Sequence, residues 1–241
     1  MQDGILLDMY LKILKGSIIT KRVFVVWRIK MKRKCFERPP QFRNRMIMML
    51  IGVVLQALGL SLLINIELGT DPCSCLTQGV TNWIPLSFGT CQLLCHLVTF
   101  AFVIRYDLSQ IGFGTIGNMV CLGYISDFFR WIWSMVLPTG FFEQRWIAYL
   151  ILIPVLAVFC VGAATYMSAG LGASPYDALP FIISEHQKKL SFKTIRVLWD
   201  VAFMVGGFLL GGDVGIVTVL VAFFLGPIIS WIQKKMEVFL K

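Results

Sequence analysis

The chain has 241 residues, of which 57% are hydrophobic and only 15% are charged. Soluble domains are about 45–50% apolar and about 25% charged, so this composition excludes an ordinary soluble protein and predicts an all-α, polytopic membrane helix bundle. The net charge of +9 is not accompanied by a basic motif that could read nucleic acid, so we expect the lipid bilayer, and no nucleic acid, as its partner.

Residues 1–45 form a basic N-terminal segment that holds 12 of the 22 Lys and Arg residues. The stretch GILLDMYLKILK has apolar residues at helical spacing, and RIKMKRK is a dense basic run. Contact with anionic lipid is one interpretation; a solvated tail, or a start of translation further along the chain, is the other. The positive-inside rule puts this terminus in the cytoplasm. Three lysines near the C-terminus place it in the cytoplasm too: Lys234, Lys235 and Lys241. With both termini on the same side, the number of crossings is even.

Four stretches have the length and apolar character of transmembrane helices, which need about 20 residues to cross a bilayer. They are residues 46–66, 111–133, 146–167 and 214–232. One such stretch alone could be a buried helix of a soluble protein, but four in so short a chain predict a multi-pass membrane protein.

A motif that breaks a helix occurs twice. LGTDPCSCL (residues 68–76) is echoed 103 positions later by LGASPYDAL (171–179). LSFGTCQ (86–92) is echoed by LSFKTIR 104 positions later, and IGFGT (111–115) by VGIVT 103 positions later. Ordered matches over most of the chain indicate two tandem internal repeats, which we assign to residues 46–137 and 138–241. Each repeat is predicted to run helix, break, short helix, helix, glycine-rich turn, helix, which makes about eight helices in total.

The two short helices, residues 72–84 and 175–186, determine the topology. Thirteen residues rise about 20 Å, less than the roughly 30 Å of a hydrocarbon core. If they cross, the chain has eight crossings and the repeats share one orientation; if they are re-entrant, it has six and the repeats are inverted. The Lys and Arg positions fit both arrangements, and we favour eight crossings because the repeated motif then stays on one side of the membrane.

The repeated motif is the candidate functional site. Gly69 and Gly172 can end one helix, and Pro72 and Pro175 suit the first turn of the next. Short Gly/Pro-interrupted segments at matching places in two halves point to a transporter's central site, and free helix N-termini favour an anionic group. A tight hairpin outside the membrane is the alternative. The polar residues predicted to bind substrate are Asp71, Ser74, Gln78, Ser174, Asp177 and Asn118.

A second group of polar residues falls inside the predicted helices. His96 and Asp200 lie at corresponding positions of the two repeats, and Arg196 lies four residues before Asp200, on the same helix face. We expect Arg196 and Asp200 to pair with each other. The alternative is that His96, Arg196 and Asp200 form a proton or ion relay.

The seven cysteines do not predict a metal site. Cys91, Cys95 and His96 could share part of one helix face, but the second repeat has no thiol or imidazole at the matching positions. We therefore expect no metal and no cofactor. Nucleotide-binding loops and nucleophile motifs are also missing from the sequence, so we do not expect an enzyme.

These motifs together resemble the YczE-like, YitT-related family of bacterial integral membrane proteins. The resemblance covers about residues 46–233 and includes the pattern of Gly114, Thr115, Asn118, Gly123 and Asp127. Cys73 and Cys75 depart from the pattern, as does the long basic N-terminus. The resemblance implies a bacterial cytoplasmic-membrane location and no settled activity.

Two functions are compatible with these features. The first is a transporter of a small solute with its site between the two repeats, where the helix N-termini would favour an anionic solute. The second is a membrane scaffold or accessory protein without transport activity. The glycine pairs at 206–207 and 211–212 could pack helices within one chain or between the copies of a homo-oligomer.

Overall fold

The computed structural model describes residues 36, 38–187 and 189–236, and within these ranges the chain is entirely helical outside its turns. Most of the basic N-terminal segment, including the stretches expected to meet lipid, lies outside the described residues. Eight helices are described: α1 Phe42–Ile66, α2 Pro72–Thr81, α3 Phe88–Tyr106, α4 Phe113–Val136, α5 Arg145–Ser168, α6 Pro175–His186, α7 Phe192–Leu209 and α8 Ile216–Met236.

Three of the described helices, α1, α3 and α5, are long and apolar enough to cross a membrane by length and composition. The predicted spans at 46–66 and 146–167 coincide with α1 and α5. Those at 111–133 and 214–232 coincide with the helices α4 and α8, which are not among these three. The prediction of a helical membrane protein with two short helices is therefore confirmed for the part of the chain that the structure describes.

Helices α1 and α5 run antiparallel through the centre of the bundle. The guanidinium of Arg45, at the start of α1, donates to the carbonyl of Ala169, just after α5, at 3.0 Å. Further along, Gly52 lies against the backbone of Tyr166, and Gly59 against that of Phe159. A Cβ on Gly52 would lie only 2.3 Å from the Tyr166 nitrogen, so this close crossing requires glycine. We call the end of the bundle near Arg45 the first end and the opposite end, near Glu67, the second end.

The helices form two groups. Helix α1 packs on α4 and α5, and α5 packs on α8, around the larger core cluster. Helix α2 packs on α7, and α6 packs on α3, where Val103 and Leu108 meet Ala178 and Ile182. Contacts of α3 with α4 and of α7 with α8 join the two groups.

Each helix break is held by the N-terminus of a helix from the other predicted repeat. The carbonyl of Leu68 accepts from the Val217 nitrogen at 3.2 Å, and that of Leu171 accepts from the Gly114 nitrogen at 2.8 Å. The glycines that follow have positive φ, 93° at Gly69 and 107° at Gly172, a region that side chains disfavour. Glycine is therefore needed at both breaks.

The short helices end at opposite ends of the bundle. Helix α2 runs beside the last part of α7, and Asn82 at its end donates to the carbonyl of Gly211 at 2.8 Å, at the second end. Helix α6 runs beside the last part of α3, and the ring of His186 lies 6.4 Å from that of Tyr106, at the first end. The glycines of residues 206–212 thus pack against α2 of the same chain.

The preference for eight crossings with both repeated motifs on one side of the membrane is therefore wrong. Because α1 and α5 are antiparallel, the breaks that follow them leave opposite ends of the bundle. The sequence could not reveal this, since the two topologies distribute the Lys and Arg residues almost identically and both satisfy the positive-inside rule.

Candidate functional site

The starts of α2 and α6 lie near each other inside the bundle. We call the place where Asp71, Asp177, Arg196 and Asp200 lie the convergence point. Helix α2 packs on α7, and Arg196 of α7 binds Asp177 at the start of α6, so α7 joins the two helix starts. The carboxylate of Asp71, at the start of α2, lies within electrostatic range of Asp177 and Arg196 without forming an ion pair with Arg196. Asp71 accepts from the Ser74 nitrogen at 3.1 Å, and the hydroxyl of Ser174 accepts from the Asp177 nitrogen at 3.1 Å. Each short helix thus brings one carboxylate and one N-capping side chain to the same region.

Arg196 links two carboxylates. Its Nη1 donates to Asp177 Oδ1 at 2.8 Å, and its Nε donates to Asp200 Oδ2 at 3.2 Å. The expected pairing of Arg196 with Asp200 within α7 is present. The pairing with Asp177 joins α7 to the start of α6, and sequence spacing alone did not indicate it, because the two residues are 19 positions apart.

Tyr166 on α5 orients Asp177 and was not predicted. Its hydroxyl donates to Asp177 Oδ2 at 3.0 Å and accepts from the Ser174 nitrogen at 3.1 Å. The Ser174 hydroxyl donates to the same Asp177 oxygen at 2.7 Å. Tyr166 lies within a long apolar span, and nothing in its sequence position distinguishes it from a core aromatic residue.

Aromatic residues enclose the guanidinium. The Tyr176 hydroxyl donates to Asp200 Oδ1, and the Arg196 guanidinium lies 5.1 Å from the centre of the Tyr176 ring. Trp199 and Phe203 contact the same ring. Cation–π contact and two ion pairs together restrict Arg196 to one position.

His96 on α3 is the least satisfied polar residue near this network. It is only 3% exposed, and neither of its ring nitrogens has a hydrogen-bond partner. It interacts electrostatically with Asp177. Asp200, in contrast, is engaged by Arg196 and Tyr176. His96 and Asp200 are therefore not hydrogen-bonded to each other, and their role as a relay stays a prediction.

Two of the residues predicted to bind substrate lie away from the charged network. Asn118 on α4 donates to the side chain of Gln56 on α1 at 3.2 Å, so it joins two helices of the larger core. Gln78 accepts from Thr70 at 3.2 Å and donates to Asp213 at 3.4 Å. Ser74 is buried one turn into α2.

A cavity of about 970 Å³ opens at the second end, and Gln78 and Asp213 line it. Its other ionisable residues are Glu67, Asp127, Arg130 and Glu143. A smaller cavity of about 340 Å³ lies at the first end, beside the second break, and has no charged side chain in its lining. Hydrogen bonds from Asp213 through Gln78 to Thr70 therefore connect the larger cavity with the residue before Asp71.

The described cysteines are all free thiols. In the ranges that the structure describes, no group of three or more His, Cys, Asp or Glu side chains is arranged to hold a metal ion. The described side chains at the convergence point form ion pairs and hydrogen bonds.

Comparison with known proteins places the chain in a family. Residues 43–234 match the family of unknown function DUF6198. The chain is 28% identical over 181 residues to the uncharacterised membrane protein YczE of Bacillus subtilis (strain 168), covering 75% of this chain and 81% of the relative. It is 28% identical over 185 residues to an uncharacterised protein of Haemophilus influenzae, covering 76% of this chain and 80% of the relative.

A third relative, the uncharacterised protein YyaS of Bacillus subtilis (strain 168), is 26% identical over 175 residues, covering 70% of this chain and 83% of the relative. No solved structure matches the chain. The family match spans all eight described helices apart from the ends of α1 and α8. The chain therefore belongs to the family of unknown function DUF6198 and is a helical, YczE-like membrane protein.

Proposed function

We propose that this protein transports a small solute across the bacterial cytoplasmic membrane. The observation that carries the proposal is the network of Asp177, Arg196 and Asp200 where two broken helices start. Ionisable groups at membrane depth are costly and usually mark a pathway for substrate or ions. Transporters bind their solutes at the junction of discontinuous helices.

The proposal includes an internal duplication with inverted halves. Its support is the matched helix packing. The contact of α1 with α4 corresponds to that of α5 with α8, and the contact of α2 with α7 corresponds to that of α6 with α3. The equivalent helices α1 and α5 are antiparallel, as an axis in the membrane plane would require.

In the proposed orientation, the first end faces the cytoplasm. The start of α1 and the end of α8 lie at this end, and along the sequence each of them adjoins a basic terminal segment. The loops of the second end carry three acidic residues, Glu67, Glu143 and Asp213, whereas the adjoining start of α5 carries one basic residue, Arg145. This distribution agrees with the positive-inside rule.

The mechanism follows from the unequal cavities. The second end has a cavity of about 970 Å³, and the first end has smaller ones of about 340 Å³ and 440 Å³. A solute would enter from the second end, pass Thr70 and Gln78, and reach the convergence point. Rocking of the α2–α7 pair against the α3–α6 pair would then open the first end, as two inverted halves exchange conformations.

Solute flux in proteoliposomes tests the proposal. We expect Asp71→Asn and Asp177→Asn to abolish flux while the protein remains folded and inserted. Asp107→Asn is the matched control, because Asp107 follows α3 and bonds locally to Ser109. Full flux in both site variants, or no flux of any solute by the wild-type protein, would contradict transport at this site and favour a scaffold.

A further inference from the structure

We infer, on the basis of the proposed transport function, that the solute is a small cation bearing N–H groups, of the ammonium or guanidinium class. It would enter through the cavity at the second end and pair with Asp71. Three features of the structure lead to this inference: the charge at the convergence point, the unpartnered His96, and the charge of the entry cavity.

The convergence point has more carboxylates than cationic side chains among the described residues. Arg196 is bound to both Asp177 and Asp200. Among the described residues, no Lys, Arg or His side chain forms an ion pair with Asp71, whose hydrogen bond comes from the Ser74 backbone. Three carboxylates thus share one guanidinium, and Asp71 is the carboxylate that has no ion pair. A monovalent cation would pair with Asp71 and reduce the excess of negative charge.

Side chains of the protein already occupy part of both helix N-termini. The Ser74 nitrogen donates to Asp71, the Asp177 nitrogen donates to the Ser174 hydroxyl, and the Ser174 nitrogen donates to Tyr166. The Ser74 and Asp177 nitrogens are among the groups that would otherwise bind an anion. Because the protein's own side chains occupy them, these helix N-termini favour an anionic solute less than the sequence alone indicated.

His96 is the independent sign of a ligand. A buried polar group without a hydrogen bond costs free energy, and both nitrogens of His96 are in that condition at 3% exposure. His96 and Asp71 both interact with the same neighbour, Asp177. A neutral imidazole accepts a hydrogen bond, so a solute N–H group could satisfy His96 while the solute's charge is balanced by Asp71.

This pair of acceptors favours an N–H cation over a metal ion. Hard metal cations take several oxygen ligands, and no suitable cluster of His, Cys, Asp or Glu occurs in the described part of the chain. Ammonium and guanidinium groups need only separate acceptors in the right directions, which a carboxylate and an imidazole provide.

The entry cavity has the matching charge. Its lining contains four carboxylates, those of Glu67, Asp127, Glu143 and Asp213, and one guanidinium, that of Arg130. A cleft lined by one sign of charge raises the local concentration of the opposite ion. Gln78 borders this cavity and bonds to Thr70, the residue before Asp71, so the cavity leads toward the unpaired carboxylate.

Currents from full-length protein in solid-supported proteoliposomes test the inference. The probe is a jump from sodium chloride to guanidinium chloride, compared with a jump to tetramethylammonium chloride, which carries the same charge but no N–H group. We expect a saturable current with guanidinium only, reduced at least tenfold by Asp71→Asn and unchanged by Asp107→Asn. Asp213→Asn should lower apparent affinity severalfold while the maximal current persists.

The outcomes separate this inference from the proposed function. An equal tetramethylammonium current would overturn the role of N–H groups. A response to a jump to sodium acetate, or osmotic swelling with xylitol, in the absence of a guanidinium current would overturn the cationic solute and leave transport intact. No flux of any of these probes would contradict both.

Discussion

Replacing Arg196 by methionine tests whether the buried charge network is as tightly coupled as its geometry indicates. The substitution keeps most of the side chain's length and removes both ion pairs, at 2.8 Å to Asp177 and 3.2 Å to Asp200. Removing one partner of a buried ion pair costs about 3–5 kcal/mol, because an uncompensated charge is left behind. We therefore expect Arg196→Met to lower the free energy of unfolding by about 3–5 kcal/mol.

The cost should fall mainly on Asp200. Its side chain is 4% exposed, against 17% for Asp177. Without Arg196, Asp177 keeps the hydroxyls of Tyr166 and Ser174, whereas Asp200 keeps only that of Tyr176. In the Arg196→Met background, Asp200→Asn should therefore restore more stability than Asp177→Asn.

Thermal unfolding of purified protein in one detergent measures these differences. Arg105→Met is the matched control, since Arg105 is exposed near the end of α3 and its replacement should change the unfolding temperature little. The reasoning would be refuted if the variants at 196 and 105 unfolded at the same temperature, or if Asp177→Asn were the better rescue.

Two further substitutions test the helix break and the orientation of Asp177. Gly215→Ala would put a Cβ 2.1 Å from the Leu68 carbonyl oxygen and should lower the free energy of unfolding by about 1–3 kcal/mol through overpacking. Gly226→Ala is the control, because a Cβ added there meets no other atom within 4 Å. Equal unfolding temperatures of the two variants would contradict the packing of the helix break at Leu68 against the start of α8. Tyr166→Phe leaves the Ser174 nitrogen without its acceptor and should cost about 1–3 kcal/mol; retention of full stability in chemical denaturation would argue against this hydrogen bond.

The sequence was sufficient for the features that depend on local chemistry. The two breaks are recognisable because Gly69 and Gly172 need positive φ and the prolines that follow suit a helix start. The pairing of Arg196 with Asp200 follows from helical spacing. These contacts are made between residues a few positions apart, so the sequence pattern contains the necessary geometry.

Features that depend on the relative direction of helices could not be derived in this way. The pairing of Arg196 with Asp177 requires that the start of α6 lie against α7. The hydrogen bond from Tyr166 to Asp177 requires that the end of α5 lie beside the start of α6. The sequence could not show that Asn118 bonds to Gln56 on another helix, because a buried amide suits a helix–helix hydrogen bond as well as it suits a substrate.

The preference for short helices that leave the membrane on the same side was the main error, because the distribution of basic residues did not distinguish the two topologies. The positive-inside rule counts basic residues near the membrane ends, and the two topologies differ in too few of them. The antiparallel crossing of α1 and α5 depends on Gly52 and Gly59 facing Tyr166 and Phe159, and such pairings between distant positions have no periodic signature.

Side-specific labelling of single cysteines tests the central claim, that α2 and α6 start together inside the membrane and leave it at opposite ends. In a background without the native cysteines, Trp83→Cys and Gln187→Cys would be exposed to a membrane-impermeant maleimide in right-side-out and inverted vesicles. The account predicts that position 83 reacts from one side only and position 187 from the other side only. Labelling of both positions from the same side would contradict it.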